Sequence, residues 1–191
     1  MKKLLMTFLA VGFLLGVSFT AQAAYTLYDN YYDFTNDFEH PIVENFEDTT
    51  LVPGLSVASD YPGAIIEDGV YKDIVGGAND YTTTWTYTQY LFAFGGWFDL
   101  FNPGGAGTNI KVTVADTGEV IGEIANTYAG QFWGFSYDKP FSQVLFSEGS
   151  NPAVQETYWS VDLALVPVPE PTSMLLLGLG LVGLAVMRRK F

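Results

Sequence analysis

The stretch Tyr81-Thr82-Thr83-Thr84-Trp85-Thr86-Tyr87-Thr88 decides the fold. Its rings alternate with threonines at a period of two, which sends successive side chains to opposite faces of an extended chain. Aromatic and β-branched residues both suit that pleated backbone. The run therefore reads as a half-buried strand, with Tyr81, Thr83, Trp85 and Tyr87 on one face and four threonines on the other.

Working outward, Ile110, Val112 and Val114 alternate in the same way, as do Trp159, Val161, Leu163 and Leu165. The second of these sets is read as core-facing, which points Asp162 away from the core. Short runs rich in β-forming residues, punctuated by Gly, Pro, Asn and Asp, predict strands over 42–47, 55–59, 70–74, 81–88, 90–94, 110–115, 120–125, 132–137, 141–147 and 157–166. Asp116-Thr117-Gly118-Glu119 joins two of them as a tight hairpin with Gly in the left-handed position. Tyr31, Phe34 and Phe38 share one helical face, which predicts a short N-terminal helix capped near Asp29. About ten short strands without a long intervening helix predict an all-β fold, an antiparallel β-sandwich of jelly-roll type.

The two ends read differently. Lys2 and Lys3 precede an apolar run over 4–19, and Ala21 and Ala23 supply the small residues of a signal-peptidase site. Residues 1–23 are thus expected to be a secretory signal peptide cleaved between Ala23 and Ala24. At the other end, 168–173 contains Pro169-Glu170-Pro171, 174–187 is uncharged and apolar, and 188–191 holds Arg188, Arg189 and Lys190. The prolines hold Glu170 in an extended, accessible peptide. The apolar run is a thin transmembrane helix, and its basic end stays on the cytoplasmic side.

Between these ends, the 24–167 domain carries three lysines, no arginine and 20 acids, a net charge of −17, against −13 for all 191 residues. That field repels phosphate, so nucleic acid is a poor partner. Cysteine is absent, which excludes thiol nucleophiles, disulfides and thiolate-bound zinc. The sole histidine, His40, precedes Pro41 in a loop and supports no catalytic triad.

Pro169-Glu170-Pro171, the apolar helix and the terminal basic cluster together resemble the PEP-CTERM sorting signal of diderm bacteria. The resemblance implies recognition and processing by a membrane exosortase after export through signal peptidase and the secretion machinery. It also implies an inner-membrane intermediate and then the cell surface or a polysaccharide-rich biofilm matrix. Asn45-Phe46-Glu47-Asp48, Phe94-Gly95-Gly96-Trp97-Phe98-Asp99 and Glu156-Thr157-Tyr158 with Asp162 are similar to the cores of uncharacterised proteins bearing that signal. No activity comes with that likeness.

Aromatic residues make up 27 of the 144 residues in 24–167. Trp97 follows two glycines and leads into the glycine-rich loop 102–107; with Asp99 and Asn102 it is a candidate sugar contact, although such rings more commonly fill a core. Ca²⁺ is the cofactor weighed here, held by Glu47, Asp48 and Asp162 if 42–47 pairs with 157–166, against the plainer reading of solvated carboxylates. The function expected first is an exported, non-catalytic surface or matrix protein associated with extracellular polysaccharide. The alternatives are a secreted glycosidase, which needs only two carboxylates, and a soluble sugar-binding module.

Overall fold

The computed structural model describes residues 24–104, 107–150 and 154–168. The signal peptide with Ala23, the Pro169-Glu170-Pro171 motif, the apolar run 174–187 and the basic cluster Arg188, Arg189 and Lys190 lie outside the described residues.

In chain order the elements are β1 (Tyr25–Tyr28), α1 (Tyr31–Asp37), β2 (Ile42–Glu44), β3 (Leu55–Ser59), β4 (Ile65–Glu67), β5 (Val70–Val75), a 3₁₀ turn (Gly77–Asn79), β6 (Thr83–Asp99), α2 (Phe101–Gly104), β7 (Ile110–Val114), β8 (Glu119–Ile124), β9 (Ala129–Glu148) and β10 (Glu156–Pro167). Among the described residues every strand pairing is antiparallel. The expected antiparallel β-sandwich is what the chain forms. Its two layers share the two longest strands.

In one layer the first part of β6 lies between β3 and the last part of β9, and β7 and β8 continue the row. In the other, β4, β5, β10, the second part of β6, the first part of β9 and β1 stand side by side, with β2 on the same flank of β10 as β5. The strands cross between layers at the exposed triplets 88–90 and 138–140, where the β6–β9 register shifts around the Leu91–Phe141 pair. Such irregularities let a strand bend sharply without losing its partners. For this reason the runs 81–88 and 90–94 form one strand rather than two, as do 132–137 and 141–147. The exposed, turn-like residues between them mark the corner.

Between the layers sits an aromatic-rich core that includes Trp85, Phe94, Phe98, Phe135, Phe146 and Tyr158. The layers meet ring to ring, Phe98 against Phe146 at 5.6 Å and Tyr71 against Trp85 at 4.8 Å. A second, smaller cluster lies outside, where α1 covers the outer face of the β10–β6–β9 layer with Phe34 over Phe132, Ala93 and Ala164. Phe132 needs unusual room. A Cβ on Gly95 would come within 2.6 Å of its ring, so the facing pair Gly95 and Gly134 forms the floor on which the ring lies.

Local readings hold in part. The turn before β8 has Gly118 at φ 73° with its N–H donated to the Val114 carbonyl at 2.8 Å, as a left-handed Gly in a hairpin requires. The helix starts one residue later than expected: Asn30, not Asp29, is the cap, and its side-chain oxygen accepts from the Asp33 N–H at 2.8 Å. Strands β1 and β4 were not foreseen. Each is a short edge strand whose extended form is held by the neighbour it pairs with rather than by its own sequence pattern.

One face assignment reverses. Trp159 does not share a face with Leu163 and Leu165. The β10–β6 register shifts between Ser160 and Asp162, so Val161 is an extra residue. Before that bulge Glu156, Tyr158 and Ser160 are buried; after it Leu163 and Leu165 are. The shift of phase leaves Trp159 and Asp162 together on the outer face.

Candidate glycan-binding face

The bulge in β10 is what assembles the candidate site. Trp159 pairs in register with Lys72 of β5 on one side and with Asp99 of β6 on the other, so the three form one row across adjacent strands on the outer face. The Lys72 ammonium lies 5.3 Å from the centre of the Trp159 ring, within cation–π range. The same ammonium pairs with Glu67 at 3.1 Å and Asp68 at 3.5 Å. Beside the row an open hollow of about 230 Å³ is bordered by Tyr61, Ile65, Thr157 and Trp159.

Asp99 is anchored by a residue of the turn that follows β6. Its two carboxylate oxygens accept from the Asn102 backbone N–H at 3.0 Å and from the Asn102 side-chain amide at 2.8 Å. Asp99 and Asn102, two of the candidate sugar contacts, are therefore brought together at the end of β6. Trp97 stands two residues back on the same face. Its ring is half-buried, 4.6 Å from Tyr31 of α1 and 5.1 Å from Phe132. Strand geometry places it diagonally across from Trp159, about 7–8 Å away backbone to backbone.

Trp97 pairs in register with Asp162. Burial raises the Asp162 pKa above the usual carboxylate range, and the nearby carboxylates of Glu44 and Glu47 push it the same way. The pairing assumed for a calcium site occurs only in its first half: β2 lies along Leu163, Ala164 and Leu165 of β10 but ends at Glu44, so Glu47 falls outside it. The ligand group does not follow: among the described residues no three His, Cys, Asp or Glu side chains are grouped to hold a metal ion. Asp48 is turned to its own loop and accepts from the Thr50 N–H at 2.6 Å, while Glu47 is exposed. The inward carboxylate of this segment is Glu44, which accepts from the N–H groups of Phe46 at 2.7 Å and Val52 at 2.6 Å and so ties down the 45–52 loop.

Reading the sequence missed Lys72 and Tyr61 and misplaced Trp159. The signal for Trp159 was present in Glu156-Thr157-Tyr158-Trp159-Ser160, but two rings in adjacent positions leave the choice of face open. His40 sits as read, exposed at the junction of α1 and β2, with φ at 58°.

Comparison with known proteins adds the identity of the tail. Residues 167–190 match the PEP-CTERM protein-sorting motif, within one residue of the boundaries read from the sequence. No curated protein matches the chain. Among solved structures, a CBM29-2 variant from work on ligand recognition by family 29 carbohydrate binding modules is 11% identical, with a TM-score of 0.48, over 81% of this chain and 95% of its own. A family 29 carbohydrate binding module structure is likewise 11% identical, at a TM-score of 0.46, over 80% of this chain and 98% of its own. No ligand is carried over from similarity at that level. The chain is an antiparallel β-sandwich followed by a PEP-CTERM protein-sorting motif.

Proposed function

We propose that this is an exported, non-enzymatic protein sorted by an exosortase, and that it binds extracellular polysaccharide through the outer face of its β5–β10–β6 strands. The observation that carries the reading is the row Lys72–Trp159–Asp99, in register on three adjacent strands with Trp97 beside it. Sugar rings stack their C–H faces on indole, and fixed polar groups at the margin take the hydroxyls. The Asp99–Asn102 pair supplies such a margin at the end of the row. In the surface matrix of an exporting cell, the sorting motif would deliver the domain and this face would hold it to the polymer.

Hydrolysis is the weaker reading. Of the two carboxyl groups held above the ordinary carboxylate range, Glu156 and Asp162, the one pushed up to about 8 is Glu156, and it is fully buried and cannot reach a substrate. Affinity electrophoresis of the full exported chain through gels containing soluble polysaccharides tests the binding reading. Trp159→Ala should abolish the retardation, and Tyr90→Ala, which removes an exposed ring at the β6 corner, should leave it intact. Equal migration of wild type and Trp159→Ala in every polysaccharide would refute the assignment.

A further inference from the structure

The charges around the aromatic face narrow the ligand further, on the premise that the face binds glycan. Asp99 lies next to Trp159 and Asp162 next to Trp97, so each indole has a carboxylate as its in-register neighbour. Glu47 is close enough to act electrostatically on Asp162. The one lysine on this face among the described residues is Lys72, the other in-register neighbour of Trp159. Lys72 is committed to Glu67 and Asp68, while Lys111 lies on β7 of the other layer and Lys139 at the exposed corner of β9. Among the described residues, Lys72 makes the only ion pairs.

We infer that the glycan this face selects carries protonated amino groups, an amino-sugar polymer at least partly free of N-acetyl groups, with Trp97 and Trp159 stacking its rings and Asp99 and Asp162 receiving its ammonium groups. The alternatives fare worse physically. A uronate or sulfate would enter a field of several carboxylates in a domain of charge −17 with no uncommitted lysine nearby to receive it. A neutral glycan would cover Asp162 without supplying the charge that its surroundings lack, and a carboxylate desolvated without a partner opposes binding. An ammonium does the reverse, because it offsets the repulsion that Glu44 and Glu47 exert on Asp162 while the sugar ring occupies the indole.

Three oligosaccharides with one β-1,4 backbone separate these cases: glucosamine, N-acetylglucosamine and glucose hexamers, titrated calorimetrically into the full exported chain. The glucosamine hexamer should bind roughly tenfold more tightly than the other two at low salt, an advantage that shrinks as salt screens it. Asp162→Asn should bring it down to the level of the acetylated hexamer, and Trp159→Ala should weaken all three. A thermal melt of each variant confirms folding, and the wild-type salt dependence does not require any variant. If the three hexamers bind alike, the charge assignment fails while the glycan face stands. If none binds, the charge assignment fails, and the electrophoresis of wild type against Trp159→Ala decides the glycan face separately. Pentalysine binding as tightly as the glucosamine hexamer, and insensitive to Trp159→Ala, would also overturn the inference, because charge alone would then make the contact.

Discussion

Tyr158 donates its hydroxyl hydrogen to Thr83 Oγ1 at 2.9 Å, and that bond ties one layer of the sandwich to the other. Thr83 in turn donates to Asp73 at 2.5 Å, and Asp73 also accepts from Tyr71 at 2.7 Å, Ser59 at 2.8 Å and the Ile74 N–H at 2.7 Å. One buried carboxylate thus gathers β3, β5, β6 and, through Thr83, β10. Burial first, and then the Asp73 charge, hold the Tyr71 phenol protonated far above its ordinary range, which keeps it a donor at any physiological pH.

Removing that carboxylate strands three hydroxyls and an amide in the core. Asp73→Ala is expected to cost about 3 kcal/mol or more, because each buried donor left without a partner costs about 1–3 kcal/mol. Tyr158→Phe, which removes a single neutral bond, should cost only about 1 kcal/mol. Urea unfolding followed by tryptophan fluorescence measures both. A loss below that of Tyr158→Phe for Asp73→Ala would show that the network is not what joins the layers.

Gly95 is a packing requirement. An added Cβ would meet the Phe132 ring at 2.6 Å and the Gly134 backbone at 3.1 Å, so Gly95→Ala must lift the ring that supports α1. A loss of about 1–3 kcal/mol is expected. Hydrogen exchange should show the amides of Tyr31–Asp37 losing protection before those of β6. Unchanged protection in the helix would mean that it is held by contacts other than Phe132.

Glu156 gives the fold a pH dependence with a definite sign. Its folded pKa, about 8, lies above the ordinary value of 4.5, so between these values the folded chain holds a proton that the unfolded chain releases. Stability contributed by this group is complete below about pH 4.5, declines as pH rises toward 8, and levels off beyond it. Glu156→Gln keeps the shape, cannot ionise, and should flatten the decline between pH 5 and 8 in melting curves (roughly the window set by the two pKa values). An identical slope in the variant would place the titration elsewhere.

The tail makes a prediction of its own. Glu170→Ala leaves the apolar run and its basic end untouched, so membrane insertion should be unaltered. In an exosortase-bearing host, the unprocessed precursor should accumulate in the inner membrane while wild type leaves as a shorter species, as an immunoblot of fractions would show. Release of the variant at the wild-type rate would reduce the motif to a spacer.

Much of the architecture was legible because it is local. The ring–threonine alternation over 81–88 writes a strand face directly, and Gly118 announces a left-handed turn whatever surrounds it. The sorting motif is legible for the same reason: it is a contiguous address. Asp99 and Asn102 could be paired from sequence because they are three residues apart in one turn.

What lay beyond reach was set by residues far apart in the chain. Whether 88–90 and 138–140 end strands or bend them depends on their coming together at one corner, with Leu91 opposite Phe141. Whether Trp159 or Tyr158 faces the core depends on one extra residue, Val161, and the sequence of β10 permits either phase. By itself, then, the sequence determined an acidic, antiparallel β-domain carried to a sorting signal, because period, turn chemistry and charge are properties of adjacent residues. Only the tertiary structure decided which indoles reach solvent and which carboxylates are sealed with Glu156 or networked with Asp73, because a bulge can exchange the two faces of a strand and burial is conferred by the opposite layer.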